Sequence, residues 1–303
     1  MKMNRAAGTL NYDGVFVYQF ADQLQTMRII HRADGNSQRE RLVALSGVGR
    51  EVIRNDREVR CYLPDENAVL VEHRKSDSVG FPNLIPKSLA ELDRNYDIRL
   101  GKTSRVANRK AQSVIIRPKD GYRYGYHLWA DTDTGLLLKA YLIDHPGTII
   151  EQFVFTQVNI GINIPDSDLE PHNKGKDYVW YREPAPDDAP LQGATKWMAT
   201  SLPQGFILST RTLRRITNHS MPVEQLVFSD GLSVVSVFIE SLDASAGSSA
   251  RPGSLNGLTA KGAVYAYGTR VDNHQITAVG EAPSITVRII GQSITPARET
   301  TGR

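Results

Sequence analysis

The sequence predicts an α+β protein, mainly antiparallel β, and three observations carry that prediction. Most of the first 160 residues alternate apolar and polar positions with a period of two, cut by turn residues. The segment 82–96 instead spaces its apolar side chains as a helix does. A proline- and acid-rich stretch at 182–194 then separates this large sheet from a second, shorter run of strands. The chain therefore divides into a domain at 1–180, a linker at 181–194 and a second domain at 195–303.

Val15 to Tyr18 opens the first strand. Thr26 to His31 and Arg39 to Leu45 follow across turns at Ala21-Asp22-Gln23 and Ala33-Asp34-Gly35, so three strands meander. Glu51 to Arg54, Val59 to Leu63 and Ala68 to Glu72 continue the pattern, punctuated by Asn55-Asp56 and Pro64-Asp65. Further strands are expected at Ser113 to Arg117, Tyr122 to Trp129, Leu136 to Ile143 and Ile149 to Ile160. Between these groups, Leu84, Ile85, Leu89, Leu92 and Tyr96 form one apolar stripe, with Ser88 and Glu91 as a capping pair. This predicts a helix over 82–96, lying on a sheet long enough that it must curl to hide its inner face.

Beyond the linker, strands are expected at Phe206 to Ile216, Val223 to Phe228, Ser233 to Ile239, Ala263 to Thr269 and His274 to Gly280. Asp243 to Gly257, rich in Ala, Ser and Gly, reads as a loop. Ile285 to Ile294 has the β-branched residues of a strand, but Pro283 and the spacing of Ile285, Ile289, Ile290 and Ile294 favour a terminal helix.

Composition excludes several classes. With 303 residues, 40% hydrophobic and 23% charged, the chain can bury a core without covalent staples and is not a disordered sequence. Its longest apolar runs, around Leu136 to Leu138 and Val234 to Ile239, fall far short of the roughly 18 residues that span a bilayer as a helix. The opening residues Met1 to Gly8 have a basic start but no apolar core of a secretory signal. Cys61 is the sole cysteine, which forbids an internal disulfide and argues against a thiolate zinc site, while leaving the compartment open. The formal net charge is +3, and the one tight basic cluster is Arg211, Arg214 and Arg215, too little for a nucleic-acid surface.

No catalytic constellation, metal motif or cofactor motif emerges. The seven histidines (31, 73, 127, 145, 172, 219 and 274) show no ligand spacing. Cys61 shares a strand face with Val59 and Leu63 and reads as a buried thiol. Asp131-Thr132-Asp133-Thr134-Gly135 begins like a calcium loop, but Leu136 and Leu142 stand where that loop needs Gly and Glu, so a hairpin turn is expected. Leu45 to Gly49 lacks the glycine spacing of a phosphate loop, and Asp187 and Asp188 fall in the solvated linker. The ladder from Tyr122 to Trp129 would place Tyr122, Tyr124, Tyr126 and Leu128 on one face, either as sheet core or as the wall of a ligand trough.

Particular strings extend this reading. Asn11 to Tyr18, Met27 to His31, Glu40 to Gly47, Glu51 to Arg54 and Val59 to Pro64 resemble the RseB/MucB family. So do Tyr122 to Trp129, Asp131 to Leu138, Leu202 to Phe206, Val223 to Leu232 and Val235 to Phe238, in order along the chain. The resemblance implies an N-terminal domain similar to the lipoprotein carriers LolA and LolB, an open half-barrel of antiparallel strands with helices on its concave side. It also implies a smaller α/β C-terminal domain. The chain departs from the pattern in having little sequence before Tyr12 for the expected N-terminal helix. The role implied is non-enzymatic and periplasmic: binding the periplasmic part of a membrane anti-sigma factor, blocking its first proteolytic cut, and release by lipid or lipopolysaccharide.

Two sets of residues are candidates within that role. Arg211, Arg214 and Arg215 are either partner contacts or a solvated strand face. Phe81, Leu84, Ile85, Leu89 and Leu92, with Tyr122, Tyr124 and Tyr126, either line an acyl-binding trough or pack as ordinary core. The trough reading leaves a second function open, a periplasmic lipid or lipoprotein carrier. A homo-oligomer also stays open, although no heptad or long apolar edge predicts one.

Overall fold

The computed structural model describes residues 2–35, 37–73, 92–145, 147–172, 178–182, 197–214, 222–242 and 255–297. A short helix, α1 (Lys2–Thr9), leads into the strands β1 (Tyr12–Phe20), β2 (Gln23–Asp34), β3 (Ser37–Ala44), β4 (Glu51–Arg54), β5 (Glu58–Leu63) and β6 (Ala68–His73). Then come β7 (Tyr96–Val106), β8 (Arg109–Pro118), β9 (Gly125–Asp131), β10 (Leu137–Ile143), β11 (Ile149–Ile160) and β12 (Val179–Arg182). These strands form one 12-stranded sheet in the order β12-β6-β5-β4-β3-β2-β1-β11-β10-β9-β8-β7. The sheet is open, with β12 and β7 as its edges, and every pairing is antiparallel except that of β12 with β6.

Alternation builds the inner face. Phe16 of β1 stands opposite Met27 on one side and Phe155 on the other, and Ala140 of β10 lies opposite both Phe153 and Leu128. Phe16, Leu128, Leu138, Ala140, Phe153 and Phe155 are all buried in one cluster with Tyr12, Ile29 and Leu136. Gly14 is required here by close approach: a Cβ at this position would lie 2.7 Å from Cε1 of Phe155, so the ring closes over bare backbone. α1 caps the same cluster through buried Ala6, with Met3 and Leu10 packed alongside. The chain ahead of β1 thus forms an eight-residue helix that covers part of the inner face.

The second sheet is six-stranded and wholly antiparallel, in the order β14-β15-β16-β19-β18-β17. Its strands are β14 (Ile207–Arg214), β15 (Val223–Ser229), β16 (Val234–Ser241), β17 (Gly257–Lys261), β18 (Val264–Val271) and β19 (His274–Glu281). The ambiguous C-terminal segment is a helix, α2 (Ser284–Gln292), whose Val287 and Ile290 are fully buried against the sheet. Pro283 precedes it as N-cap, where a missing N–H costs nothing. A two-stranded ribbon of β13 (Trp197–Ala199) and β20 (Ile294–Pro296) closes the far side of this core.

The structure corrects three expectations. The described end of the helix expected at 82–96 is a single 3-10 turn, Leu92–Arg94, after which Tyr96 begins β7; residues 82–91 lie outside the described residues. Most β7 side chains are exposed, so this edge strand lacks the apolar alternation that marks the others. The strand expected from Tyr122 starts only at Gly125, because Asp120 accepts a 2.9 Å bond from the Tyr122 N–H and bends the chain ahead of it. Cys61 is half-buried, its neighbour Tyr62 taking the buried position, and burial pushes its thiol above the ordinary range.

The turn after β9 is the hairpin expected. The buried carboxylate of Asp131 accepts the Thr134 N–H at 2.8 Å, the Thr134 hydroxyl at 2.8 Å and Arg109 Nε at 2.7 Å. Burial opposes its ionisation, but Arg109 and Thr134 outweigh burial and hold the carboxyl below its usual range.

Candidate functional site: the joint between the two sheets

The two sheets meet along a joint built around Arg123, which is completely buried. Its guanidinium donates to Asp230 Oδ2 at 2.7 Å, to Asp120 Oδ1 at 3.0 Å and to the Gln204 carbonyl. It lies over the rings of Tyr96, at 5.6 Å, and Phe206, at 5.4 Å. Asp230 and Gln204 belong to loops of the second sheet, so one side chain from the turn before β9 ties both loops to the first sheet. The Asp230 carboxylate is fully used: Oδ2 also accepts the Tyr96 hydroxyl at 2.8 Å, and Oδ1 accepts the Leu232 and Ser233 N–H groups at 2.9 and 2.7 Å. Burial and the Asp230 charge both push the Tyr96 hydroxyl far above its ordinary pKa, so Tyr96 is a permanent donor.

A second contact is made by the tip of the β17–β18 hairpin. Gly262 sits there at φ +60°, and an added Cβ would collide with the Phe20 ring. Beside it, Ala263 is 1% exposed and belongs to the core of the first sheet. Its N–H donates to Glu151 Oε1 at 3.2 Å, and its carbonyl accepts the Tyr124 hydroxyl at 3.2 Å. A third tie runs from the buried Thr286 hydroxyl of α2 to the Tyr122 carbonyl, at 2.6 Å.

Next to this joint the inner face opens into an apolar cleft of about 310 Å³, lined chiefly by Phe16, Tyr18, Met27, Tyr126, Leu142 and Phe153. Two carboxylates border it, Glu151 from β11 and Glu281 from the end of β19. A cleft of this size, mostly apolar with a few polar groups, is at the small end of those that take small ligands.

The candidate residues distribute unevenly over this geometry. Tyr126 lines the cleft, and Tyr124 is buried and bonded to the hairpin tip. Tyr122 departs from the shared face expected of it: it is half-buried in the bend and contributes its carbonyl to the joint. Leu92 is fully buried in the first core. Phe81, Leu84, Ile85 and Leu89 lie outside the described residues. Arg211 is exposed on the edge strand β14, where it offsets the burial that pushes the Glu224 carboxyl up. Arg214 is the last residue of β14, and Arg215 lies outside the described residues. Sequence reasoning missed Arg123, Asp230, Glu151 and Glu281; the bonds that tie Arg123 to Asp230 and Glu151 to Ala263 join residues more than a hundred positions apart in the chain.

Residues 1–173 match the MucB/RseB N-terminal domain and residues 191–295 the MucB/RseB C-terminal domain. The chain belongs to the MucB/RseB family. It is 34% identical to the sigma factor AlgU regulatory protein MucB of Pseudomonas aeruginosa over 294 residues, which is 94% of this chain and 86% of that protein. It is 29% identical to the sigma-E factor regulatory protein RseB of Escherichia coli over 97% of this chain and 88% of that protein. The crystal structure of MucB in complex with MucA(peri) superposes with a TM-score of 0.72 at 29% identity, covering 98% of this chain and 97% of that one. The crystal structure of MucB superposes with a TM-score of 0.62 at 29% identity, over 98% of this chain and 96% of the other. Members of the family are thus regulators of sigma factors by name, and the fold of this chain is theirs through both sheets.

Proposed function

We infer that this protein binds the periplasmic region of a membrane anti-sigma factor of the MucA/RseA type and so keeps an extracytoplasmic stress sigma factor off. The observation that carries the reading is the TM-score of 0.72 over 98% of the chain to a relative solved with MucA(peri) on it. A protease needs an extended, accessible segment, and a flexible tail held on a folded surface is cleaved only after it dissociates. The protein acts in the periplasm, as a binding protein and not as an enzyme, with residues 1–180 and 195–303 as its two domains and 181–194 between them. Release by a lipid or lipopolysaccharide follows if that amphiphile prefers the partner-free form, since equal affinity for both forms shifts nothing. Arg211, Arg214 and Arg215 are the proposed partner contacts.

A purified periplasmic segment of the cognate anti-sigma factor should bind the full chain with a Kd below about 10 μM, read by calorimetry. Arg211→Glu should weaken this binding, and more so at low salt, because an exposed charge acts through a screened field. No binding at tens of micromolar would remove the assignment, and an unchanged affinity in Arg211→Glu would remove the contact. The apolar cleft supports a second reading, a lipid or lipoprotein carrier, for which native mass spectrometry should find a bound acyl chain displaced by Phe153→Trp.

A further inference from the structure

The cleft on the inner face combines three properties that together specify a ligand. Its wall is apolar, with buried Phe16, Leu142 and Phe153 and half-buried Met27. Its charged groups are two carboxylates from different sheets, Glu151 of β11 and Glu281 at the end of β19. Among the described residues that line it none is Lys, Arg or His, and Lys261, next to the hairpin tip, is exposed and not part of the lining. The cleft is therefore an acidic spot on a chain whose formal net charge is +3.

The two carboxylates divide the work of receiving a head group. Glu281 is exposed, so a molecule arriving from solvent meets it first. Glu151 is 9% exposed; its Oε2 accepts the Tyr18 hydroxyl at 2.8 Å and its Oε1 the Ala263 N–H at 3.2 Å. An ionised carboxylate offers about four acceptor sites, so these two bonds leave it room for a further donor. Charge beside apolar walls is poorly solvated; a cation brought next to it offsets that cost, and an anion adds to it. A methylene group takes about as much room as a water molecule in the liquid, roughly 30 Å³, so a cleft of about 310 Å³ holds about ten of them, one alkyl chain and not two.

We propose that this cleft is a binding site for a single-chain cationic amphiphile, its alkyl chain against Phe16, Leu142 and Phe153 and its ammonium head at Glu151 and Glu281. The assignment uses the cleft alone and holds whichever partner the protein binds. A primary ammonium brings three N–H donors to the free acceptor sites of the carboxylates, which a quaternary nitrogen does not. An anionic head, phosphate or sulfate, is repelled from the same place.

Calorimetry of the full chain with decylammonium and with decyl sulfate, both below their micelle-forming concentrations, tests the site, because the two share a chain and differ in the charge of the head. Decylammonium should bind at least about tenfold more tightly, although the net charge of +3 favours the anion over the general surface. Glu281→Gln, which keeps the shape and removes the charge, should weaken decylammonium by about fivefold or more and leave decyl sulfate bound no more weakly. Glu281→Lys should reverse the order of the two ligands. Glu151→Gln should act as Glu281→Gln does; should it fold poorly, the variants of exposed Glu281 decide. Equal affinity for the two ligands would overturn the proposal. So would undetectable binding of decylammonium at about 1 mM, or a Glu281→Gln protein that binds it as the wild type does.

Discussion

Arg123→Ala is expected to cost about 3–5 kcal/mol, because it strands the Asp230 carboxylate in a site from which water is excluded. Both side chains are wholly buried at 2.7 Å, and no second cation reaches Asp230 among the described residues. The same substitution removes the donor to the Gln204 carbonyl and the cation between the Tyr96 and Phe206 rings. The damage should be local to the joint before it is global: urea unfolding should split into two transitions, since each sheet keeps its own core. The double variant Arg123→Ala/Asp230→Asn should be less unstable than Arg123→Ala alone, because the uncompensated charge is gone while Oδ1 still serves Leu232 and Ser233. A single unfolding transition at the wild-type midpoint would show that the joint contributes little.

Phe155→Ala should cost a similar amount, about 3–5 kcal/mol, for a different reason. Phe155 is 1% exposed, meets Phe16 and Phe153 edge-on at 5.6 and 6.2 Å, and lies over the bare backbone of Gly14. Deleting the ring leaves a cavity walled by strand backbone, which cannot collapse without breaking sheet hydrogen bonds. Leu100→Ala, on a residue 76% exposed in edge strand β7, should by comparison change stability by less than about 0.5 kcal/mol. Chemical denaturation of the two variants side by side measures the contrast, and equal effects would refute the account of the first core.

Much of the architecture was legible because the signals were local. β11 runs over Ile149–Ile160 as its alternation indicates, and the Asp131 turn and the helix after Pro283 follow from short-range chemistry. What escaped depends on contacts distant in sequence. Arg123 sits inside a stretch that reads as a strand, and its removal from the strand face is decided by Asp230, 107 residues later. Tyr96 completes a helical stripe in the sequence, yet its hydroxyl is claimed by the same Asp230, and its backbone pairs with Pro118. β12 is a short strand with every side chain exposed, pairing in parallel with β6, and nothing in its alternation marks it. The joint was invisible for the same reason: Glu151 and Glu281 are unremarkable acids until two separate sheets bring them to one cleft.

Timed cleavage of the anti-sigma factor's periplasmic segment by the protease that makes its first cut bears most directly on the proposal that this protein works by occupancy. With the protein at about 100 times its Kd, the cleavage rate should fall by about 100-fold, the free fraction of the segment. Cleavage at an undiminished rate under the same saturation would contradict it.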